Sequence, residues 1–390
     1  MSVLPYNASH AERIAGFQGT RQPAIWMGES GPVGVVPGFV AAGEKSPGQR
    51  AAVEAGFAER RLRRVGSGQV VSPAYYRVEL EDEARRGRVV VEQSSSELRV
   101  YVRELGLEAD GTMTASHVGH LRFTFRGNNS PSILIEATRP SVITSTPTNV
   151  TFPYGQVAIS AQPSNTKSAV VDIHGYTDER QDWIITPVSI APHAETFKGY
   201  FWARISVSEA VVAEYGVVNN RTVNAGLREG DGELLSAYVL FSPSGEETVI
   251  DVRVGTSLIS ESIARSHIEV ETPHGSSLED TARVVREKWI EKLDRIAVEG
   301  ASEAQKEVFY TAVFHSLTVS VCCNPLYDAD LQCSTQTSRL RMECIGVDTT
   351  VGFTKPPRLT LATPSGCVTT LYVCPDQDQT LCSHSGYLPR

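Results

Sequence analysis

Alternating apolar and polar positions dominate residues 68–270 of the chain. The runs are rich in β-branched or aromatic residues, and clusters of Gly, Pro, Asn and Ser separate them, which is typical of β-strands. They read YYRVELED, RVVVEQSSSELRVYVREL, GTMTASHVGHLRFTFRG, SILIEAT, SAVVDIHGY, GYFWARISVS and ETVIDVRVGTSLIS. No amphipathic helix pattern lies between them. The pattern therefore favours a large antiparallel β-sandwich over a parallel α/β sheet.

The period of the apolar residues changes at residue 276. In the following segment they recur every three or four residues on one helical face, at Leu278, Ala282, Val285, Trp289, Leu293 and Ile296. Ser276 with Glu279, or Ser277 with Asp280, can form a capping box at the start of this helix, and Ser302 with Gln305 can start a second one. The second helix carries apolar residues on more than one side. We expect such a helix inside a larger helical domain, whose remaining helices should lie downstream.

Residues 319–390 have no sustained period, and they hold all seven cysteines of the chain. The odd number argues against a complete disulfide module, and the absence of a C-x-x-C pair argues against a zinc-binding module. Three interpretations stay open: a translated intron or frameshift, which we favour, a genuine divergent tail, and a metal or disulfide unit. In each case the pattern predicts an irregular C-terminal tail.

Composition narrows the classes of function. The chain has 390 residues, 41% of them hydrophobic and 21% charged, which suits a globular protein with a substantial core. The formal net charge of −9 opposes binding to nucleic acid or to anionic membranes. The sequence has no apolar run long enough for a membrane span and no signal-peptide core, so the expected partners include neither nucleic acid nor membrane.

Asn-x-Ser/Thr sequons occur four times, at Asn7, Asn128, Asn149 and Asn220. Such sites accept glycans only in a secreted protein, and chance alone supplies one or two in a chain of this length. Localisation therefore stays open.

A specific resemblance emerges from eight collinear segments between residues 3 and 318. They include LPYNASHAERIAGFQGTRQPAIWMGESGPVGVVPG, PAYYRV, ASHVGHLRFTF, KGYFWARI and WIEKLDRIAVEGASEAQKEVFYTAVFHSL. The order and extent of these segments resemble the N-terminal part of glycoside hydrolase family 92, the calcium-dependent exo-acting α-mannosidases. The resemblance implies a galactose-mutarotase-like β-super-sandwich, a helical linker and then an (α/α)6 barrel.

The resemblance also implies a chemistry. In this family a glutamic acid protonates the leaving oxygen, a carboxylate activates water, and calcium holds the distorted mannose. No segment within residues 319–390 resembles the parts of the family's barrel that carry its catalytic carboxylates and calcium ligands. We therefore assign no catalytic residue and no metal ligand, and we expect no calcium to bind to this chain.

Candidate sugar contacts lie in the segment GTRQPAIWMG. Trp26 is an aromatic side chain in a loop, where it can stack on a sugar ring, and Arg21 and Gln22 can donate hydrogen bonds to hydroxyls. Relatives usually have histidine where this chain has Arg21. His117 and His120 lie three apart in a predicted strand, which places them on opposite faces and argues against their forming a metal pair.

Three regions follow from these patterns: a family 92 sandwich domain at residues 1–275, a helical linker and first barrel-type helix at 276–318, and a tail at 319–390. The favoured function is the carbohydrate-binding N-terminal part of an α-mannosidase that trims mannose from N-glycans, truncated and inactive as written. A mannose-containing glycan is the expected partner. The alternative is a stand-alone carbohydrate-binding or protein-interaction module.

Overall fold

The computed structural model describes most of the region up to Thr318 and three short segments beyond it. The described residues are 3–5, 13–18, 33–40, 61–66, 68–96, 98–101, 112–115, 117–138, 141–145, 148–151, 153–161, 168–178, 196–243, 245–318, 358–362, 368–373 and 381–386.

Strands account for most of the chain before residue 258. They are β1 (Val3–Pro5), β2 (Arg13–Gln18), β3 (Gly34–Val40), β4 (Leu62–Arg64), β5 (Val70–Val71), β6 (Tyr76–Asp82), β7 (Gly87–Ser95), β8 (Leu98–Tyr101), β9 (Thr112–Ala115), β10 (Val118–Arg126), β11 (Ser130–Glu136), β12 (Ser141–Ser145), β13 (Thr148–Thr151), β14 (Tyr154–Ala161), β15 (Ser168–Thr177), β16 (Gly199–Ser208), β17 (Ala210–Asn219), β18 (Thr222–Ala225), β19 (Glu229–Glu233), β20 (Leu235–Pro243) and β21 (Glu247–Ser257).

The strands form two layers in which every described pair is antiparallel. The first layer runs β5-β6-β7-β10-β21-β16-β15-β14-β19, and the second runs β18-β17-β20-β11-β3-β2-β1. Strand β4 pairs with β2 and with β6, so the layers join into one hydrogen-bonded sheet of 17 strands. Strands β8 with β9, and β12 with β13, form separate two-stranded ribbons.

The main hydrophobic core lies between the two layers. Alternate residues of each strand point into it, as the period of two requires. Phe17 of the second layer meets Phe123 of the first with ring centroids 6.1 Å apart, and Phe39 meets Phe125 at 5.3 Å. All four rings are buried. These edge-to-face contacts join the layers and confirm the predicted sandwich.

Three helices follow β21: α1 (Glu261–Glu271), α2 (Leu278–Leu293) and α3 (Glu303–Thr318). Ser277 and Asp280 form a reciprocal capping box at the start of α2, and Ser302 and Gln305 do the same for α3. Both predicted helices are therefore confirmed, and the second of the two alternative caps is the one used for α2.

Helix α1 was not predicted. Ser260 caps it by accepting a hydrogen bond from the Ile263 amide, and Ala264 and Ile268 form its buried face. The helix lies on the outer face of the first layer, against β10, β15, β16 and β21. Several strands of the sandwich, among them β3, β14, β17 and β20, were also not predicted from the alternation of the sequence.

The chain divides into two compact units, Met1–Trp289 and Ile290–Arg390. The second unit contains α3, whose Tyr310 hydroxyl donates to the Ile296 carbonyl at 3.0 Å. It also contains a small antiparallel sheet of β22 (Arg358–Ala362), β23 (Val368–Val373) and β24 (Leu381–Gly386), within the tail expected to be irregular. Within the described residues no helix has the length and apolar character of a membrane span.

Gly255 on β21 allows α1 to approach the sheet closely. A Cβ atom at this position would lie 2.1 Å from the backbone carbonyl oxygen of Ala264 and 2.9 Å from the Ile268 side chain. A backbone atom in the middle of a helix cannot move aside alone, so any side chain here must displace the helix.

We predict that Gly255→Ala destabilises the chain by about 1–3 kcal/mol, the usual cost of overpacking a close contact. Denaturant unfolding followed by circular dichroism measures this difference. Gly68→Ala is the matched control, because a Cβ there meets no atom within 4 Å. Equal free energies of unfolding for the two variants would contradict the close packing of α1 on β21.

Candidate functional site

The predicted sugar contacts lie outside the described residues. Arg21, Gln22 and Trp26 belong to the connection between β2 and β3, which are neighbours in the second layer and pair at Phe17 with Val35. Their role in sugar binding stays a prediction.

The described polar groups gather on the outer face of the first layer, where α1 and α2 lie. Arg122 on β10 faces Asp251 on β21 across the ladder, and its Nε donates to Asp251 Oδ1 at 3.3 Å. Arg204 on β16 faces Asp172 on β15 and binds it through two nitrogens, at 2.8 and 3.1 Å. These cross-strand pairs neutralise charges that are largely removed from solvent.

Helix α2 contributes further partners to this face. Glu279 accepts from both terminal nitrogens of Arg122, at 2.5 and 3.2 Å, and Thr281 Oγ1 lies 2.9 Å from Nδ1 of the fully buried His120. Arg253 donates to the carbonyl oxygen of Ser276 at 2.7 Å, just before the helix. The beginning of α2 is thus fixed to β10 and β21 by polar contacts.

The pKa values of the two carboxyl groups around Arg122 are both below their usual range. Burial alone would raise the pKa of Asp251, but His120 and the Arg122 guanidinium outweigh burial and lower it. The hydrogen bond from Arg122 lowers the pKa of Glu279. Burial lowers the pKa of His120, whose Nε2 is 3.5 Å from Asp251. That distance exceeds a normal hydrogen bond, so we regard Arg122 as the main partner of Asp251.

Trp202 on β16 occupies the middle of the same face. Its ring stacks on His174 with centroids 4.2 Å apart and planes 6° from parallel, and the Arg265 guanidinium of α1 lies 5.3 Å from the ring centroid. His174 Nδ1 is in turn 2.5 Å from Glu261 Oε2. The indole is therefore engaged by two side chains of the chain itself.

A cluster of three metal-capable side chains lies at one end of α1. His117 directly precedes β10, and His267 and Glu271 lie four residues apart on α1, so both point from the same side of the helix. Their ligand atoms lie within 4.8 Å of one another. His120 contacts Thr281 of α2 and takes no part in this cluster. His117 lies just before β10 and contacts α1, so both histidines meet helices on the outer face of the first layer, and their predicted placement on opposite faces is wrong.

The hydrogen bonds of this cluster shift two pKa values in opposite directions. Burial alone would raise the pKa of Glu271, but hydrogen bonds from His117 and Ser96 lower it. The hydrogen bond to Glu271 raises the pKa of His117. The two groups therefore behave as an ion pair that joins the end of α1 to the start of β10.

Sequence reasoning missed His267 and Glu271 because it missed α1. The signal was present: Ser260 provides a cap, Ala264 and Ile268 are spaced as one helical face, and the His-x-x-x-Glu spacing is that of neighbours on a helix surface. The preceding run was assigned to a strand as far as Ser260, which concealed the change from a strand period to a helix period at that residue.

Several solved structures share this fold, and two of them illustrate the similarity. An inverting mannosidase of family GH92, BT2199 from Bacteroides thetaiotaomicron VPI-5482, superposes with a TM-score of 0.55 and 16% identity over 96% of this chain and 36% of that chain. The family GH92 glycosyl hydrolase ccman5 gives a TM-score of 0.51 and 16% identity over 80% of this chain and 35% of that chain. The chain spans about a third of the length of these proteins. No curated protein matches it.

The fold is thus that of the sandwich part of a glycoside hydrolase. The model of the glycosyl hydrolase family 92 N-terminal domain matches residues 2–257, and the model of the family's catalytic domain matches residues 263–327. The chain belongs to glycosyl hydrolase family 92, which confirms the resemblance seen in the sequence. The division between the two family models falls just before α1.

Calcium does not suit the cluster that the described residues provide. Calcium takes six to eight oxygen ligands, whereas His117, His267 and Glu271 offer two imidazole nitrogens and one carboxylate. These three side chains therefore lack the ligand set that calcium prefers. The expectation that calcium does not bind elsewhere in the chain stays a prediction.

We predict that the cluster of Arg122, Asp251 and Glu279 makes the free energy of unfolding depend on pH below neutrality. Because the pKa values of Asp251 and Glu279 are lowered in the folded chain, the two carboxylates stabilise it. This contribution is fully present above the pKa of the free carboxyl groups, about 4. This contribution is lost as the pH falls through the lower folded-state values. Arg122→Gln should reduce the free energy of unfolding at pH 7 and flatten its decline between about pH 5 and pH 2.

Urea unfolding across this pH range measures the effect. Arg126→Gln is the matched control, since Arg126 forms a pair with Glu247 in which both side chains are more than half exposed. The idea fails if the two variants show the same dependence of stability on pH.

Proposed function

We propose that this chain is the glycan-contacting N-terminal part of a family 92 α-mannosidase and that it hydrolyses no mannoside by itself. Its substrate class is the terminal mannose of an N-glycan. The observation that carries this proposal is the match to the family's N-terminal domain over residues 2–257, followed by a catalytic-domain match that ends at residue 327.

The chemistry of inverting hydrolysis supports the inactivity of the chain alone. Such a reaction needs a general acid, whose pKa must be raised so that it holds a proton near neutral pH, and a general base roughly 6.5–9.5 Å away across the scissile bond. Three of the described carboxyl groups at the sheet–helix junction, those of Asp251, Glu271 and Glu279, have lowered pKa values instead. They are ionised partners of cations and are poor proton donors.

The sandwich contributes sugar contacts in this proposal. Arg21 and Gln22 bind mannose hydroxyls, and Trp26 packs against the apolar face of the ring. One side of a pocket gives few contacts, so the affinity for free mannose should be low. The polar outer face described above serves a different purpose, because its charges and its indole ring are already occupied by partners within the chain.

We predict that the purified chain releases no mannose from α-1,2-linked mannobiose, with calcium or with a chelator. Weak mannose binding should be detectable by saturation-transfer NMR, and Trp26→Ala or Arg21→Ala should abolish it. Arg283→Ala is a control for loss of a charge, since Arg283 is an exposed residue of α2.

The outcomes separate the two functions. Calcium-stimulated release of mannose would overturn the proposed inactivity. Absence of mannose binding by the folded wild-type chain would instead favour the alternative of a protein-interaction module.

A further inference from the structure

The cluster of His117, His267 and Glu271 has the hydrogen-bonding pattern of a metal site, which the proposed function does not use. In proteins, residues that bind a metal are oriented by hydrogen bonds to their remaining polar atoms, which fix the tautomer and the direction of each ligand atom.

Glu271 is held through one of its two oxygens. Its Oε2 accepts a hydrogen bond from the Ser96 hydroxyl at 2.5 Å and another from the His117 backbone amide at 2.9 Å. The side chain is only 2% exposed, so its orientation is fixed. The other oxygen, Oε1, is directed at the two histidines and contacts His117 Nδ1 at 2.7 Å.

His267 is held in one tautomer. Its Nδ1 lies 2.9 Å from the carbonyl oxygen of Thr256. Because a carbonyl oxygen can only accept, Nδ1 must carry the proton, and in the neutral ring Nε2 then has a free lone pair. A backbone carbonyl bound to the second ring nitrogen is the usual partner of a histidine that binds zinc.

His117 is the movable member of the cluster. Its ring stacks on His267 with centroids 4.1 Å apart and planes 18° from parallel. The lone pair of a ring nitrogen lies in the plane of the ring, so His117 must turn out of this stack to share a metal with His267. Its side chain is 46% exposed, which gives the ring room to turn.

We propose that His117, His267 and Glu271 bind one Zn²⁺ ion, which ties the end of α1 to the start of β10. Two imidazoles and a carboxylate suit zinc, whose bonds to nitrogen and oxygen are about 2.0–2.2 Å. The ligand atoms already lie within 4.8 Å of one another, so the turn of His117 out of its stack and a small closure bring them to these distances. The fourth position of the tetrahedral ion faces solvent beside His117 and is filled by water.

The test is a titration of the full metal-free chain with zinc at neutral pH by calorimetry, after the cysteines have been alkylated. Alkylation is required because seven cysteines could bind zinc through their thiolates. We expect one zinc per chain and a rise in the melting temperature on loading. His267→Ala should weaken binding at least tenfold, and Ser96→Ala about tenfold through the lost support of Glu271.

His274→Ala is the matched control, since His274 is an exposed histidine just beyond α1 and outside the cluster. It should bind zinc like the wild type. Absence of zinc binding by the alkylated wild-type chain would overturn the proposal, as would equal affinity of the His267→Ala and His274→Ala chains.

Circular dichroism shows whether each variant folds. If His267→Ala does not fold, His117→Ala decides the matter, because the exposed His117 side chain is not part of the core. Cobalt gives an independent readout: the wild-type chain should show the visible absorption of tetrahedral Co²⁺ without thiolate charge-transfer bands. A cobalt spectrum that His117→Ala leaves unchanged would also contradict the assignment.

Discussion

The contact between the sandwich and its helices depends on partly buried charges of the sheet, which need partners. The outer face of the first layer carries Arg122, Asp251 and Arg253, and each is at least partly buried. Removing such groups from water is costly unless they meet opposite charges or hydrogen-bond partners. Glu279 and the Ser276 carbonyl supply those partners, so the helices complete this face as well as cover it.

The same constraint explains why α1 lies where it does. Gly255 interrupts the row of side chains on β21 and lets the helix backbone come close, with Ala264 directly above it. From that position α1 directs Glu261 to His174, Arg265 to Trp202 and Glu271 to His117. One helix thereby contacts side chains on three parts of the sheet. The histidine–glutamate contacts at its end are the ones best placed to take a metal ion.

Family membership and the geometry of this junction together suggest a structural role for the polar residues of α1 and α2. The two family models meet just before α1, so the polar contacts of α1 and α2 with the sheet fix the beginning of the catalytic-domain segment to the sandwich. Charge pairs and capped helices suit this task because their geometry is directional, whereas apolar packing alone would permit sliding. The carboxyl groups that form these pairs are structural for the same reason.

The sequence by itself determined the class of fold, the caps of α2 and α3, and the family. These follow from local rules: a period of two for half-buried strands, a period near 3.6 for helices, and side-chain capping within four residues. Strand β20 escaped because it is buried on both faces, from Leu235 to Phe241, and therefore shows no alternation. Strand β17 escaped because a bulge between Val212 and Glu214 interrupts its period. Helix α1 escaped because a strong strand pattern runs directly into it.

Tertiary structure alone decided which polar residues meet. Arg122 and Asp251 are 129 positions apart, and His117 and Glu271 are 154 apart. Pairing over such distances is set by strand register and helix docking, which no local pattern encodes. Hence the sequence could not find His267 and Glu271 as partners of His117, which precedes β10 and contacts α1 on the same outer face as His120. It also could not show that Trp202, aromatic and partly exposed on a strand, contacts His174 and Arg265.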